Sequence, residues 1–160
     1  MRLTISEGEA ASADMHETEG TRYAPRKTNL EDLIRVLVKE HSVMQDGLEK
    51  VKQAAARRDF AGVAEELKKL DPIFRQHIAD EESTILALLI RRLGKEGSAE
   101  EIRVFQQHRS IYQLMKTVGE LAARSAVELE ASQDELKRLF EQHAGAEESR
   151  VFPRASSLGE

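Results

Sequence analysis

Two stretches decide how this chain reads: His77-Ile78-Ala79-Asp80-Glu81-Glu82-Ser83 and His143-Ala144-Gly145-Ala146-Glu147-Glu148-Ser149. Each places a glutamate four residues after a histidine, one turn along the same helix face. A lone histidine stands upstream of each at nearly equal distances, His41 before the first and His108 before the second. The chain therefore reads as two similar helical hairpins, each contributing His…His-x-x-x-Glu.

The surrounding pattern is helical throughout. Leu30, Ile34, Leu37, His41, Met44, Leu48 and Val51 alternate steps of four and three, an amphipathic seam with a histidine in a core slot. Thr28 with Glu31 forms a capping box, Asn29 being an alternative cap, and the first helix is expected to reach about Arg58. Asp59 caps a second helix carrying Leu67, Leu70, Phe74, His77, Ile78, Glu81, Ile85 and Leu88 on one side. Pro72 inside it predicts a kink or brief break, and Gly94 and Gly97 end it. Ser98 with Glu101 opens a third helix presenting Phe105, His108, Tyr112 and Met115. Ser132 with Glu135 opens a fourth presenting Leu136, Phe140, His143, Glu147 and Val151, which Pro153 stops. No segment alternates as a strand would. The expectation is an all-α fold, an antiparallel up-down-up-down four-helix bundle over residues 28–158, with a mobile N-terminal tail over residues 1–27. His16 falls in that tail and reads as a solvated histidine.

Composition narrows the chemistry. With no cysteine among 160 residues, disulfides, thiolate zinc sites and iron–sulfur clusters are excluded. Twenty-four Lys and Arg against twenty-nine Asp and Glu leave a net charge of −5, so no nucleic-acid footprint is expected. The longest apolar run, Ile85–Ile90, is too short for a membrane span, and Met1–Glu7 lacks the apolar core of a secretory signal. A cytoplasmic location is the expectation; pairing into a homodimer is left open.

The histidines and glutamates fall on the apolar helix faces. Two ionised carboxylates in a small core need compensating positive charge, and these faces carry neither lysine nor arginine. A pair of metal ions supplies it, and imidazole suits iron or zinc. For two six-coordinate ions, two bridging glutamates, four imidazoles and a bridging oxide leave two positions open, or one if the Tyr112 phenolate binds. A carboxylate-rich pair of ions inside a four-helix bundle fits iron, with manganese or zinc ranked behind it.

On these residues the sequence resembles the hemerythrins and hemerythrin-like HHE cation-binding domains over about residues 30–155. The resemblance rests on the order His41, His77-x-x-x-Glu81, His108, His143-x-x-x-Glu147, with Val151-Phe152-Pro153 following. It implies an oxo- or hydroxo-bridged pair of non-haem irons. His41 and His77 would hold one, His108 and His143 the other, and Glu81 and Glu147 would bridge them. Tyr112 stands where the oxygen carriers of the family have a second histidine, which moves the expectation from reversible carriage towards sensing, storage or detoxification of O2, peroxide or nitric oxide. The alternative is a metal-responsive interaction or sensor module without catalysis. Glu82 and Glu148, turned about 100° from the bridges, read as surface or supporting groups.

Overall fold

A computed structural model describes residues 17, 18 and 21–159. It is helical, with α1 (Leu30–Ala56), α2 (Phe60–Asp80), α3 (Ala87–Gly97), α4 (Ala99–Ala123), α5 (Leu129–Ala146) and α6 (Phe152–Leu158). A π-helical turn, Glu81–Leu86, joins α2 to α3, and a second, Glu147–Val151, joins α5 to α6. Four rods result, and α1 packs on α2 and α5 while α4 packs on the same two. Ahead of them, Glu17–Thr18 pairs antiparallel with Thr21–Arg22, a two-residue ladder that the sequence reading did not anticipate. Residues 1–16, and with them His16, lie outside the described residues.

The amphipathic seams build the core as expected. On α1 the faces of Leu37, His41, Met44, Leu48 and Val51 are buried. Leu33, fully buried, takes the place that the seam gave to Ile34. The apolar core divides in two. One cluster gathers Met44, Leu48, Leu70, Phe74, Ile111, Leu136 and Phe140. The other gathers Leu33, Leu37, Ile85, Leu89, Phe105, Val151 and Phe152. The histidines and glutamates form the layer between them. Gly47 sits where α1 meets α2: a Cβ there would stand 2.4 Å from Leu70 Cδ2, so Leu70 uses the space a side chain would fill.

Several local expectations are corrected. Asn29, not Thr28, caps α1, its side chain accepting from the Asp32 backbone N–H. The helix ends at Ala56, because Arg58 turns to a φ of 57°. α2 runs unbroken through Pro72, with Leu70 and Phe74 buried on either side. Ser98 makes no side-chain cap; its Oγ donates back to the Gly94 carbonyl, while Glu101 is drawn across to Arg154. The second rod ends at Gly97 as expected, after a break in the helical backbone at Gly94, whose φ is 72°. The fourth rod begins at Leu129, a buried residue, so Ser132 lies inside it rather than at its cap. Pro153 does not stop that rod. It sits in the first turn of α6, directly after the π turn Glu147–Val151, and the rod continues to Leu158.

Candidate metal centre

Six of the seven residues singled out from the sequence converge in the layer between the two apolar clusters. His41 from α1, His77 and Glu81 from the second rod, and Glu147 from the fourth form one group; Glu81, His108, His143 and Glu147 form the other. Within each group, one donor atom from every residue lies within 4.8 Å of the rest. Glu81 and Glu147 belong to both. All six side chains are at most 1% exposed. The ring centroids pair in the same way, His41 with His77 at 4.8 Å and His108 with His143 at 4.7 Å.

The backbone marks the same places. Both π turns begin at a shared glutamate, Glu81 in one rod and Glu147 in the other. A π turn interrupts the regular i→i−4 ladder and recurs at functional sites. Here the same distortion appears at the same register in both halves of the repeat.

Each imidazole is oriented by a bond from its outer nitrogen. His41 Nδ1 meets Glu148 Oε1 at 2.8 Å, and His77 Nδ1 meets Glu40 Oε2 at 2.8 Å. His108 Nδ1 meets Glu82 Oε1 at 3.3 Å, and His143 Nδ1 meets Gln107 Oε1 at 3.0 Å. These oxygens are acceptors, so each Nδ1 carries the proton and each Nε2 is left to face inward. Aromatic rings close the flanks: Phe152 stacks on His41 and Phe140 meets its edge, while Phe74 and Phe105 flank His108.

What faces inward has no ordinary partner. All four Nε2 atoms and both oxygens of Glu81 and of Glu147 are buried without a hydrogen bond. They are nevertheless close: His77 Nε2 lies 2.7 Å from Glu81 Oε1, and His108 Nε2 lies 2.8 Å from Glu81 Oε2. His143 Nε2 is in still closer contact with Glu147 Oε1, and His41 Nε2 stands 3.8 Å from the same oxygen. Lone pairs gathered this way repel unless protons or cations lie among them. Donors about 2 Å from a common ion and at right angles to each other are about 3 Å apart, close to the spacing seen here. The nitrogen and oxygen donor set, closed to cysteine, suits iron, manganese or zinc.

Without a cation, protons must do the compensating. Burial would lower the His77 pKa, but the Glu81 and Glu40 carboxylates outweigh it and push it up to about 9. Burial raises Glu147 well above the carboxylate range, and the Glu81 charge beside it adds to the rise. Against its own burial, Glu81 is held well below that range by the charge on His77. Two adjacent buried carboxylates thus keep only one negative charge between them. A cation has to displace these protons, so its affinity drops as the pH is lowered. Metal bound at neutral pH should be lost on dialysis near pH ~4; retention there would contradict histidine ligation. Raised folded-state values favour the metal-free fold below the ordinary histidine range, and that benefit disappears as pH climbs through 9. At about 1.4 kcal/mol per unit, His77 alone takes away roughly 3 kcal/mol over that window. The gap in melting temperature between loaded and metal-free protein should therefore widen from pH 6.5 to pH 9; a constant gap would refute this.

Tyr112 is placed differently. Its hydroxyl accepts a hydrogen bond from Arg75 Nη2, and the guanidinium lies over its ring at 4.9 Å. Arg75, 4% exposed, is held in turn by Asp71 at 2.9 Å. Sequence reasoning did not find Arg75, nor the outer partners Glu40 and Gln107. The signal for the last two was adjacency, since they directly precede His41 and His108. Glu82 and Glu148 do act as supporting groups, each behind a histidine of another rod.

No helix among the described residues is long and apolar enough to cross a membrane. Neither a curated protein nor a solved structure matches the chain significantly. Residues 14–89, just under half of the chain and the stretch that carries His41, His77 and Glu81, match the family model described as Hemerythrin HHE cation binding domain.

Proposed function

We propose that the chain is a cytoplasmic hemerythrin-like protein whose antiparallel up-down-up-down bundle holds two irons and binds O2, peroxide or nitric oxide for sensing, storage or detoxification. The observation that carries this reading is the set of eight inward-facing nitrogen and oxygen atoms, buried and without hydrogen bonds, divided into two groups that share both carboxylates. The repeat extends it to the second hairpin, which the family match does not reach.

Bound iron would supply the change of oxidation state and the open coordination on which small-ligand chemistry depends. The chain's own residues do the rest. Glu81 and Glu147 supply the negative charge that draws two cations into an apolar core. Glu148, Glu40, Glu82 and Gln107 fix the tautomer and direction of the four imidazoles. Phe74, Phe105, Phe140 and Phe152 keep bulk water from the layer and so strengthen every charge interaction inside it.

The experiment is aerobic purification from iron-replete cells, followed by visible spectra before and after exposure of the reduced protein to O2, peroxide or nitric oxide. Oxo- or phenolate-to-iron absorption that responds to one of these ligands is expected; a colourless protein indifferent to all three would overturn the proposal. Tyr112→Phe then decides the role of the phenol. Loss of a phenolate band makes Tyr112 a ligand, and an unchanged spectrum leaves it to Arg75.

One observation favours a second reading, the metal-responsive module. Ahead of α1, the Ala24 carbonyl accepts from Gln76 and Arg26 pairs with Glu40, so this segment is fastened to the neighbour of His77 and to the carboxylate that orients its ring. On that reading metal loading changes how fast a protease cuts residues 23–29; equal rates for loaded and metal-free protein would dismiss it.

A further inference from the structure

The two halves of the site are alike in their inward-facing ligands and unlike behind them. Behind His41 and His77 stand two carboxylates, Glu148 and Glu40, each at 2.8 Å from the ring nitrogen. Behind His108 stands one carboxylate, Glu82, at 3.3 Å, and behind His143 stands a neutral amide, that of Gln107, at 3.0 Å. The repeat makes the replacement legible: Glu40 precedes His41 where Gln107 precedes His108. A second replacement reinforces it. Asp80, before the bridging Glu81, corresponds to Ala146 before Glu147. Asp80 is fully buried, accepts the Arg26 backbone N–H at 2.6 Å and pairs with its guanidinium at 3.1 Å. Arg26 also pairs with Glu40. Glu40, Asp80 and Arg26 together leave one net negative charge beside the first position. Gln107 and Ala146 leave none beside the second.

A carboxylate accepting from the outer nitrogen makes an imidazole a stronger donor and holds its ring in place. Added negative charge raises the affinity for any cation and favours the more highly charged one. We infer that the two metal positions are inequivalent: the His41/His77 position, set by Glu40 with its Arg26–Asp80 support, is the high-affinity one, and the His108/His143 position, backed by Gln107, is the exchangeable one. Glu40 and Gln107 are positioning residues that set this order. The inference rests on the two-metal reading above and adds to it a sequence of filling, with the second position open to exchange or to a different cation.

The test is a titration of metal-free, full-length protein with cobalt(II), followed by visible absorption and calorimetry. Two steps separated by tenfold or more are expected. Removal of such a supporting partner changes metal affinity by about 10–100-fold. Glu40→Gln should therefore weaken the tight step by about tenfold or more and draw the two steps together. Gln107→Glu should tighten the weak step by a similar factor and leave the tight step unchanged, a gain that damage to the fold cannot imitate. His143→Ala should abolish the weak step alone. Two equal steps in the parent protein, or a Gln107→Glu change that leaves the weak step where it was, would overturn the inference while the two-metal reading stands. Absence of any cobalt binding would overturn both.

Discussion

Glu81→Ala is expected to empty both metal positions at once. Its two oxygens face different halves of the site, Oε1 towards His77 and Oε2 towards His108. It is a member of both four-residue groups, whereas each histidine belongs to one. Loss of His41 or His143 should then reduce the metal content from two to one per chain, and loss of Glu81 or Glu147 should reduce it to near zero. In the metal-free protein Glu81 pairs with buried His77 at 2.7 Å, so alanine there also removes a charge partner and lowers the stability of the metal-free bundle. Metal analysis of the four variants, each checked for helix content, reads this directly. A Glu81→Ala protein that keeps one metal would show that the carboxylate does not bridge.

Metal loading is expected to raise the melting temperature by about 10 °C or more. A cation present at a thousandfold its dissociation constant adds about 4 kcal/mol when only the folded chain binds it. For a chain of this size one kcal/mol moves the midpoint by about 2–4 °C. The fold gives the effect its route, because the layer to be neutralised touches all four rods and separates the two apolar clusters. Replacing His77 and Glu81 together by leucine should cancel the shift. It should also leave the metal-free variant at least as stable as the metal-free parent, since apolar groups then fill a place otherwise held by buried polar ones. Calorimetric scans of parent and double variant, with and without metal, measure both halves of the statement. A metal-independent midpoint in the parent protein would refute it.

Much of this was open to reading because side-chain periodicity is a local property. The steps of three and four along α1 place His41 in the core without any knowledge of the other helices, and the spacing of His77 with Glu81 puts both on one face. The helix starts were less legible. A serine followed by a glutamate suits a cap, but Ser132 lost that place to the buried Leu129 nearby, and Glu101 was drawn to Arg154, 53 residues away. The π turns leave no side-chain signature, since they alter only the backbone ladder. The partners behind the histidines were hidden for a third reason. Glu40 and His77, or Glu148 and His41, meet across rods, and such a pairing is fixed by packing rather than by spacing. Arg26 is the extreme case: the part of the chain expected to be a mobile tail ends in a guanidinium seated on Glu40 and Asp80.

Whether these six side chains hold the proposed pair of irons is read by metal analysis of the full-length protein purified from its own host, combined with X-ray absorption at the iron edge. The expected result is close to two irons per chain, a nitrogen and oxygen first shell that includes imidazole, and a second iron within bridging distance. A single isolated ion, or a chain that leaves its host without metal, would contradict it.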